Sequence, residues 1–543
     1  MRQRTILFTI LTVFVCVFAM AACATAKTIY VDADAAGAND GSSWANAYND
    51  LQHALNAADT LAKPVEIRVA HGTYRPDWDE GYRTEAFELR NGVAIKGGYP
   101  GLGEPDPNAR DIELYETILS GDISGNDIEV ADPCDLLTEP ARCENSYHVV
   151  TAYEVGETAI LDGCTITGAN ANGLSEYDAG GGMDCSFSRP TIIDCTFTGN
   201  SAEIGGGMFI ISGAPVLIDC RFRRNAASYY GGGIGAFDNV GVATMAGCEF
   251  EKNWAPEGGG IGAAESKATL TNCIFIENSA YSGGGLSNYY SNASLFGCTF
   301  VGNSASETGG AISNHASGLI LTNCSFRGNS AEEGGAIYNY IDANHRMVNC
   351  TFTGNSAIVG NAMACDSLGE LEPSNVQLTD CILWDGGNEI WNNDSSEIMV
   401  RYSDVQGGWP GEDNIHLDPC FAHPGYWDTN GTPEDANDDF WADGDYHLKS
   451  QAGRWDASEG RWMTDDVTSP CIDAGDPMTP IGPEPFPNGG IINMGVYGGT
   501  TEASKSYFGK PPCETIVAGD INGDCEVNFE DFRLMALHWL EEH

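Results

Sequence analysis

Positive charge is what this chain lacks most: 26 lysines and arginines stand against 77 aspartates and glutamates, a formal net charge of −51. Without phosphate-neutralising cations, nucleic acid and anionic membrane surfaces are excluded as natural partners. Long apolar runs are also scarce. Only the stretch from Ile6 to Ala22 is long and apolar enough to matter, so the mature chain is expected to have no membrane span. No extended helical periodicity occurs in the body of the sequence, which argues against a helical bundle.

The apolar run lies at the N-terminus behind Arg2 and Arg4, and Ala24-Thr25-Ala26 supplies a small-x-small cleavage pattern. Residues 1–26 therefore read as a secretory signal. Met20-Ala21-Ala22-Cys23 resembles a lipoprotein processing box and offers anchoring at Cys23 as the alternative. Either route places the mature chain outside the cell or on its surface.

What is present is a repeat. Cysteines at 164, 195, 220, 248, 273, 298, 324, 350 and 381 fall 25 to 31 residues apart, each opening the same phrase. Its clearest copy is Leu270-Thr271-Asn272-Cys273-Ile274-Phe275-Ile276-Glu277-Asn278, followed by Gly283-Gly284-Gly285-Leu286. A period of this size means stacked copies of one unit too small to bury its own apolar face. Cys and the Phe two residues later share one face of a strand. An apolar residue three before each Cys (Ile192, Leu217, Leu270, Leu295) has the wrong parity for that face, so the chain must bend just before Cys. The Asn of Phe-x-x-Asn is expected to mark a second corner by adopting φ > 0. The glycines mark a third, before Met208, Ile234, Leu286 and Ile337. Three short strands and three bends per turn predict an all-β fold, a right-handed parallel β-helix.

The chain divides accordingly. After the signal, 27–125 is an N-terminal cap with first strands, including a helix over 42–58 with Trp44, Leu51 and Leu55 on one face. Residues 126–405 form the β-helix, 406–500 a decaying C-terminal end, 501–515 a linker, and 516–543 a small α-helical module. The nine repeat cysteines, with Cys185 and Cys365, are expected to be buried free thiols. Export permits disulfides, and three pairs are expected: Cys134 with Cys143, Cys420 with Cys471, and Cys513 with Cys525.

The coils, with Phe-x-x-Asn and Gly-Gly-Ala-Ile at 309–312 and 334–337, resemble the repeats of polymorphic outer membrane proteins. The string Asp404-Val405-Gln406-Gly407-Gly408, Leu417-Asp418-Pro419 and Ser469-Pro470-Cys471-Ile472-Asp473-Ala474-Gly475-Asp476 resembles the C-terminal region of bacterial choice-of-anchor Q proteins. No barrel-sized set of strands follows, so autotransport is not implied. Asp520, Asn522, Asp524, Glu526, Asn528 and Asp531 occupy loop positions 1, 3, 5, 7, 9 and 12 of a Ca²⁺ loop, with Glu526 contributing its carbonyl. This module resembles half of a type I dockerin, which implies Ca²⁺ and a cohesin-like partner. Two departures stand against docking: one copy instead of two, and Cys525 where the sixth position expects Gly.

No catalytic set is evident. Polygalacturonase-like helices are similar to one another in an Asn-Thr-Asp, Asp-Asp, Gly-His-Gly and Arg-Ile-Lys set, and the only Asp-Asp pairs here lie outside the coils. His315 and His345 do not share a register, and no carboxylate pair has a spacing that argues acid–base work. One outward series stands out: Phe237, Tyr289, His315 and Tyr340 at matching positions of their coils, with Tyr338 beside them. Rings one coil apart form a platform for sugar rings; the competing reading is a groove covered by a loop or by the C-terminal region. The expectation is thus a non-catalytic surface protein for adhesion, carbohydrate binding or display, its partner an extracellular polysaccharide or cell-surface component. The alternative is a polysaccharide lyase or glycoside hydrolase with an unrecognised site.

Overall fold

A computed structural model describes residues 26–76, 81–238, 241–367, 373–431, 439–508 and 527–539. The segment read as an export signal, Cys23, Cys513 and Cys525 lie outside them. Among the described residues no helix is long and apolar enough to cross a membrane.

The body is a right-handed parallel β-helix with three long sheets. Sheet 1 has 13 strands, from Lys27–Val31 to Glu397–Arg401; sheet 2 has 12, from Gly72–Tyr74 to Asp404–Val405; sheet 3 has 11, from Phe87–Glu88 to Ile390–Asn392. One coil runs from sheet 3 (Leu286–Tyr289) to sheet 1 (Asn292–Phe296), then sheet 2 (Thr299–Val301), then back to sheet 3 (Ile312–His315). A fourth short strand precedes the glycines in several coils: Ser201–Ile204, Ala226–Tyr230, Ser279–Ser282 and Ser304–Thr308. The pairings between coils are parallel, and most keep register, as in Cys185 beside Ile210 and Phe275 beside Phe300, with shifts at Ala202/Ile204, Arg68/Ala70 and Ala280/Ser282.

The bend before each Cys falls on the preceding residue. Asp194, Asp219, Asn272, Asn323, Asn349 and Asp380 all have φ between 49° and 59°, and Gly247 and Gly297 take the same role. Only Gly, Asn and Asp tolerate this left-handed backbone well, which explains the residue choice. The second corner departs from expectation. The left-handed residue is the one before the ladder asparagine, such as Lys252 and Glu277. The asparagines themselves are buried and stack: Asn253 Nδ2 donates to Asn278 Oδ1 (2.9 Å) and to Phe222 O (2.8 Å), and Asn253 N also donates to Asn278 Oδ1 (3.0 Å). Each asparagine thus satisfies the corner of its neighbour.

Inside, phenylalanines from Phe197 to Phe352 stack nearly parallel with centroids 4.5–5.1 Å apart. The repeat cysteines, Cys185 and Cys365 are buried free thiols. At the N-terminus, helix Leu51–Asp59 buries Leu51, Ala54, Leu55 and Ala58 against the sheet edge. It is shorter than the expected 42–58 helix because Tyr48 pairs with Val31, and Asp50 then caps the helix, accepting from His53 N at 2.7 Å. Trp44 sits in a separate 3₁₀ turn.

The expected disulfides at Cys134–Cys143 and Cys420–Cys471 do not form; all four are free thiols. Cys134 and Cys143 sit in separate short turns, and buried Arg142 pins the segment instead, bonding Asp127 (2.9 Å) and Gly199 O (3.0 Å). Cys471 is buried with its Sγ 3.1 Å from Asp404 Oδ2, while Cys420 adopts φ 51° with its Sγ 3.4 Å from Asp418 O.

Residues 419–431 and 439–507 fold back over the last coils of sheet 2. Trp427 Nε1 donates to Gly354 O (2.8 Å), Arg327 pairs with Asp443 (2.9 Å), and Asn323 Nδ2 donates to Val496 O and Gly498 O (both 2.8 Å). Trp441 lies so close over Gly328 and Gly354 that a Cβ at either would overlap its ring.

Candidate carbohydrate-binding groove

Among the described residues, the C-terminal region packs on the last coils of sheet 2, while the outer face of sheet 3 carries exposed Tyr289 and Tyr290. It meets the short strands at the glycine turn. The first glycine of each turn (Gly231, Gly258, Gly283, Gly309, Gly334) has φ 63–68°, which an L side chain rarely adopts. This turn folds the outer surface inward. Side chains just before the glycine lie across the first outward position of sheet 3 in the next coil: Ile204 over Gly235, Tyr230 over Gly262. Ser282 Oγ reaches Ser313 Oγ (2.9 Å), and Ser287 Oγ donates to Glu257 Oε2 (3.2 Å). The short strands and sheet 3 thus meet at a re-entrant corner that repeats along the solenoid axis, with first outward positions such as Ser287 and Ser313 buried and the next ones, such as Tyr289, exposed.

The sheet-facing wall of the groove carries the rings. Tyr289, His315 and Tyr340 are consecutive register partners on sheet 3, and their centroids are 4.6 and 5.0 Å apart. Tyr290 joins them, edge-on to Tyr289 at 4.7 Å. Tyr289 is 44% and Tyr290 54% exposed; His315 and Tyr340 are half-buried. Burial holds the His315 imidazole below its ordinary pKa and so favours the neutral ring. Tyr338 is buried at 8% exposure beneath Tyr340, with centroids 6.4 Å apart. Phe237 lies in the same column but is separated from Tyr289 by Ala264, and packs instead with Tyr230 (5.1 Å) and Phe209 (6.1 Å). The structure therefore gathers Tyr289, His315, Tyr338 and Tyr340 into one cluster and places Phe237 in a second.

The opposite wall carries carboxyls. Glu257, Ser282, Thr308 and Glu333 form one column just before the glycines. Burial raises the Glu257 carboxyl, Ser287 pulls it back, and Glu307 raises it further. Glu333 is raised by burial and then by Asp366 and Glu332. Asp366 sits in the ring column as the register partner of Tyr340. At the N-terminal end of sheet 3, Asp184 accepts from Ser186 Oγ (2.7 Å) and is raised by burial against the pull of Ser186 and His148. Neither Glu257 nor Glu333 stands out in a reading of single coils. The available signal was their shared place immediately before Gly-Gly, at Glu257-Gly258 and Glu333-Gly334.

Of the calcium-loop residues, Asp520, Asn522, Asp524 and Glu526 lie outside the described residues. Asn528 and Asp531 open the terminal helix Phe529–Trp539, where Asp531 Oδ2 accepts from Asn528 N at 2.7 Å. That contact turns the last loop carboxylate back toward the ninth loop position. Among the described residues no cluster of three His, Cys, Asp or Glu could hold a metal.

The fold is a right-handed β-helix. The family model for the right handed beta helix region matches residues 142–326 and 217–405, and one described as disaggregatase related matches 428–475. No curated protein matches the sequence. Among solved structures, that of XylC in complex with xylose is similar at 9% identity and a TM-score of 0.39, covering 73% of this chain and 87% of that one. The tailspike gp49 of Acinetobacter baumannii bacteriophage Fri1, a capsular polysaccharide depolymerase, is similar at 10% identity and TM-score 0.30, covering 72% and 61%. A rhamnogalacturonan lyase is similar at 10% and 0.28, covering 73% and 90%. At such scores the likenesses carry no functional inference.

Proposed function

We propose that this chain is an exported β-helix that binds polysaccharide along the sheet 3 groove. The carrying observation is the ladder Tyr289–His315–Tyr340, with rings one coil apart, Tyr289 exposed and the other two half-buried, beside the column Glu257, Ser282, Thr308 and Glu333. Sugar rings present C–H faces to aromatics and hydroxyls to such acceptors, so the two walls match the two aspects of a glycan. Retention of the purified full chain on immobilised polysaccharides tests this. Tyr289→Ala with Tyr340→Ala should weaken retention at least about tenfold, a loss of ~1.4 kcal/mol of binding, at unchanged melting temperature. Undiminished retention by the double variant would refute the assignment.

The second reading is hydrolysis in the same groove. Burial and the neighbouring Asp366 and Glu332 raise the Glu333 carboxyl, the environment that suits a general acid. Release of reducing ends, abolished by Glu333→Gln and by Asp366→Asn, is the expected signature. Release that survives both substitutions would remove these carboxyls from the chemistry.

For the terminal module the reading is Ca²⁺ held by Asp520, Asn522, Asp524, Asn528 and Asp531 with the Glu526 carbonyl, at a dissociation constant on the order of 10⁻⁴ to 10⁻³ M. Attachment to a cohesin-like partner would follow from that site. Calorimetry on the full chain should detect one weak site that Asp520→Ala removes; no heat at millimolar Ca²⁺ would overturn it.

A further inference from the structure

The groove also carries information about the charge of its glycan, which deepens the binding reading above and rests on it. Sheet 3 from Met183 to Asp366 and the segments leading into its glycine turns contain no lysine or arginine. The same elements carry Glu257, Glu307, Glu332, Glu333 and Asp366. The nearest basic side chains are engaged elsewhere or lie on other sheets. Arg327 pairs with Asp443 on sheet 2, Lys252 with Glu277 at the corner after sheet 2, and Arg346 lies on sheet 1. A uronate or sulfated polymer in this groove would meet carboxylates with no cation to neutralise it, inside a chain of net charge −51. These charges act within a Debye length of ~8 Å at physiological salt.

An ammonium group reverses every one of these terms. Beside Glu333 and Asp366 it relieves the repulsion between two carboxyls, and over Tyr289 or Tyr340 it gains a cation–π contact. A hydroxyl or an acetamide gains neither. We infer that the polysaccharide this groove takes carries free amino groups, as a deacetylated amino-sugar polymer does.

Affinity electrophoresis of the full chain through partly deacetylated chitin, soluble acetylated chitin oligomers and polygalacturonate tests this. The expected order is the amino-bearing polymer about tenfold tighter than the acetylated one, with no retention by polygalacturonate. Added salt should erase the difference. Bulk attraction of an acidic protein to a cationic polymer is separated by two charge-matched controls. Tyr289→Ala with Tyr340→Ala keeps the net charge and should lose retention, and Glu333→Gln with Asp366→Asn should lose the preference. Replacing the distant Glu397 and Glu412 by Gln, which removes the same charge, should not. If the preference survives loss of Glu333 and Asp366, or retention survives loss of the two tyrosines, bulk charge explains it and the inference fails. Equal retention of acetylated and deacetylated polymers, or retention of polygalacturonate, overturns the amino preference alone. No retention of any polymer overturns the glycan site itself.

Discussion

At the residue scale, stability concentrates in ladders. Asn278 accepts from both Asn253 N and Asn253 Nδ2, and its own Nδ2 donates to Phe250 O and Asn303 Oδ1. Asn278→Ala breaks all four bonds and strands buried donors, so it should cost about 3 kcal/mol or more. Phe300→Ala, which opens a hole between two stacked rings, should cost ~3–5 kcal/mol. Glu307→Ala, an exposed position on the short strand Ser304–Thr308, should cost under about 0.5 kcal/mol. Chemical denaturation ranks the three, and comparable losses at Glu307 and Asn278 would contradict the assigned faces. His345 gives the opposite expectation. It is buried on sheet 1 between Leu319 and Val376, neither ring nitrogen has a hydrogen-bond partner, and burial pushes its imidazole down to about 3. His345→Leu should therefore raise stability by about 1–3 kcal/mol. The gain should grow as pH falls below ~6.5, because the unfolded chain takes up a proton there and the folded one does not. An unchanged or lower melting temperature at pH 5 would count against this.

At the element scale, the sequence revealed the coil but not what surrounds it. The Cys–Phe–Asn–Gly spacing shows three bends because each bend repeats in sequence. Why Asn stands at its corner is not legible in sequence, since stacking between coils leaves no mark within one coil. The N-terminal strands at 65–70 and 93–99 continue sheet 1 without the repeat phrase; the alternation of Val65, Ile67 and Val69 marks the first as a strand but not its place in the sheet. The fold-back of 419–431 and 439–507 onto sheet 2 depends on contacts between residues far apart in sequence, such as Asn323 with Val496, and no local pattern encodes it. That region has its own pH dependence. Burial raises the Asp380, Asp404 and Asp473 carboxyls to about 6 and Glu484 to about 8. Carboxyls held above their unfolded values bind protons more tightly when folded. Stability is therefore greatest below the ordinary carboxylate range and is lost as pH rises through 6 to 8. Hydrogen exchange of residues 470–505 should quicken between about pH 5 and 8.5 beyond the intrinsic change. Glu484→Gln should blunt that rise, because a glutamine oxygen can still accept from Asn493 N and Gly499 N. Protection that improves toward pH 8.5 would reverse the sign of the account.

At the scale of the whole molecule, the solenoid turns a short repeat into a long groove. One residue before the glycines and two outward positions after them suffice to build both walls, because every coil adds another copy at the next rung. The groove's ring wall was legible in sequence, since Tyr289, His315 and Tyr340 share an offset from their glycines. Its acidic wall was not, because Glu257 and Glu333 face it only once the turn folds the short strand against sheet 3. Among the described residues, the C-terminal region packs on the last coils of sheet 2, and Tyr289 and Tyr290 stay exposed on sheet 3. The central claim is that glycan lies on sheet 3, and a crystal structure of the full chain soaked with its best-retained oligosaccharide tests that most directly. The account predicts sugar rings over Tyr289, His315 and Tyr340, with polar groups toward Glu257 and Glu333. Sugar bound instead on sheet 1 or on the Trp427–Trp441 hairpin, with sheet 3 bare, would contradict it.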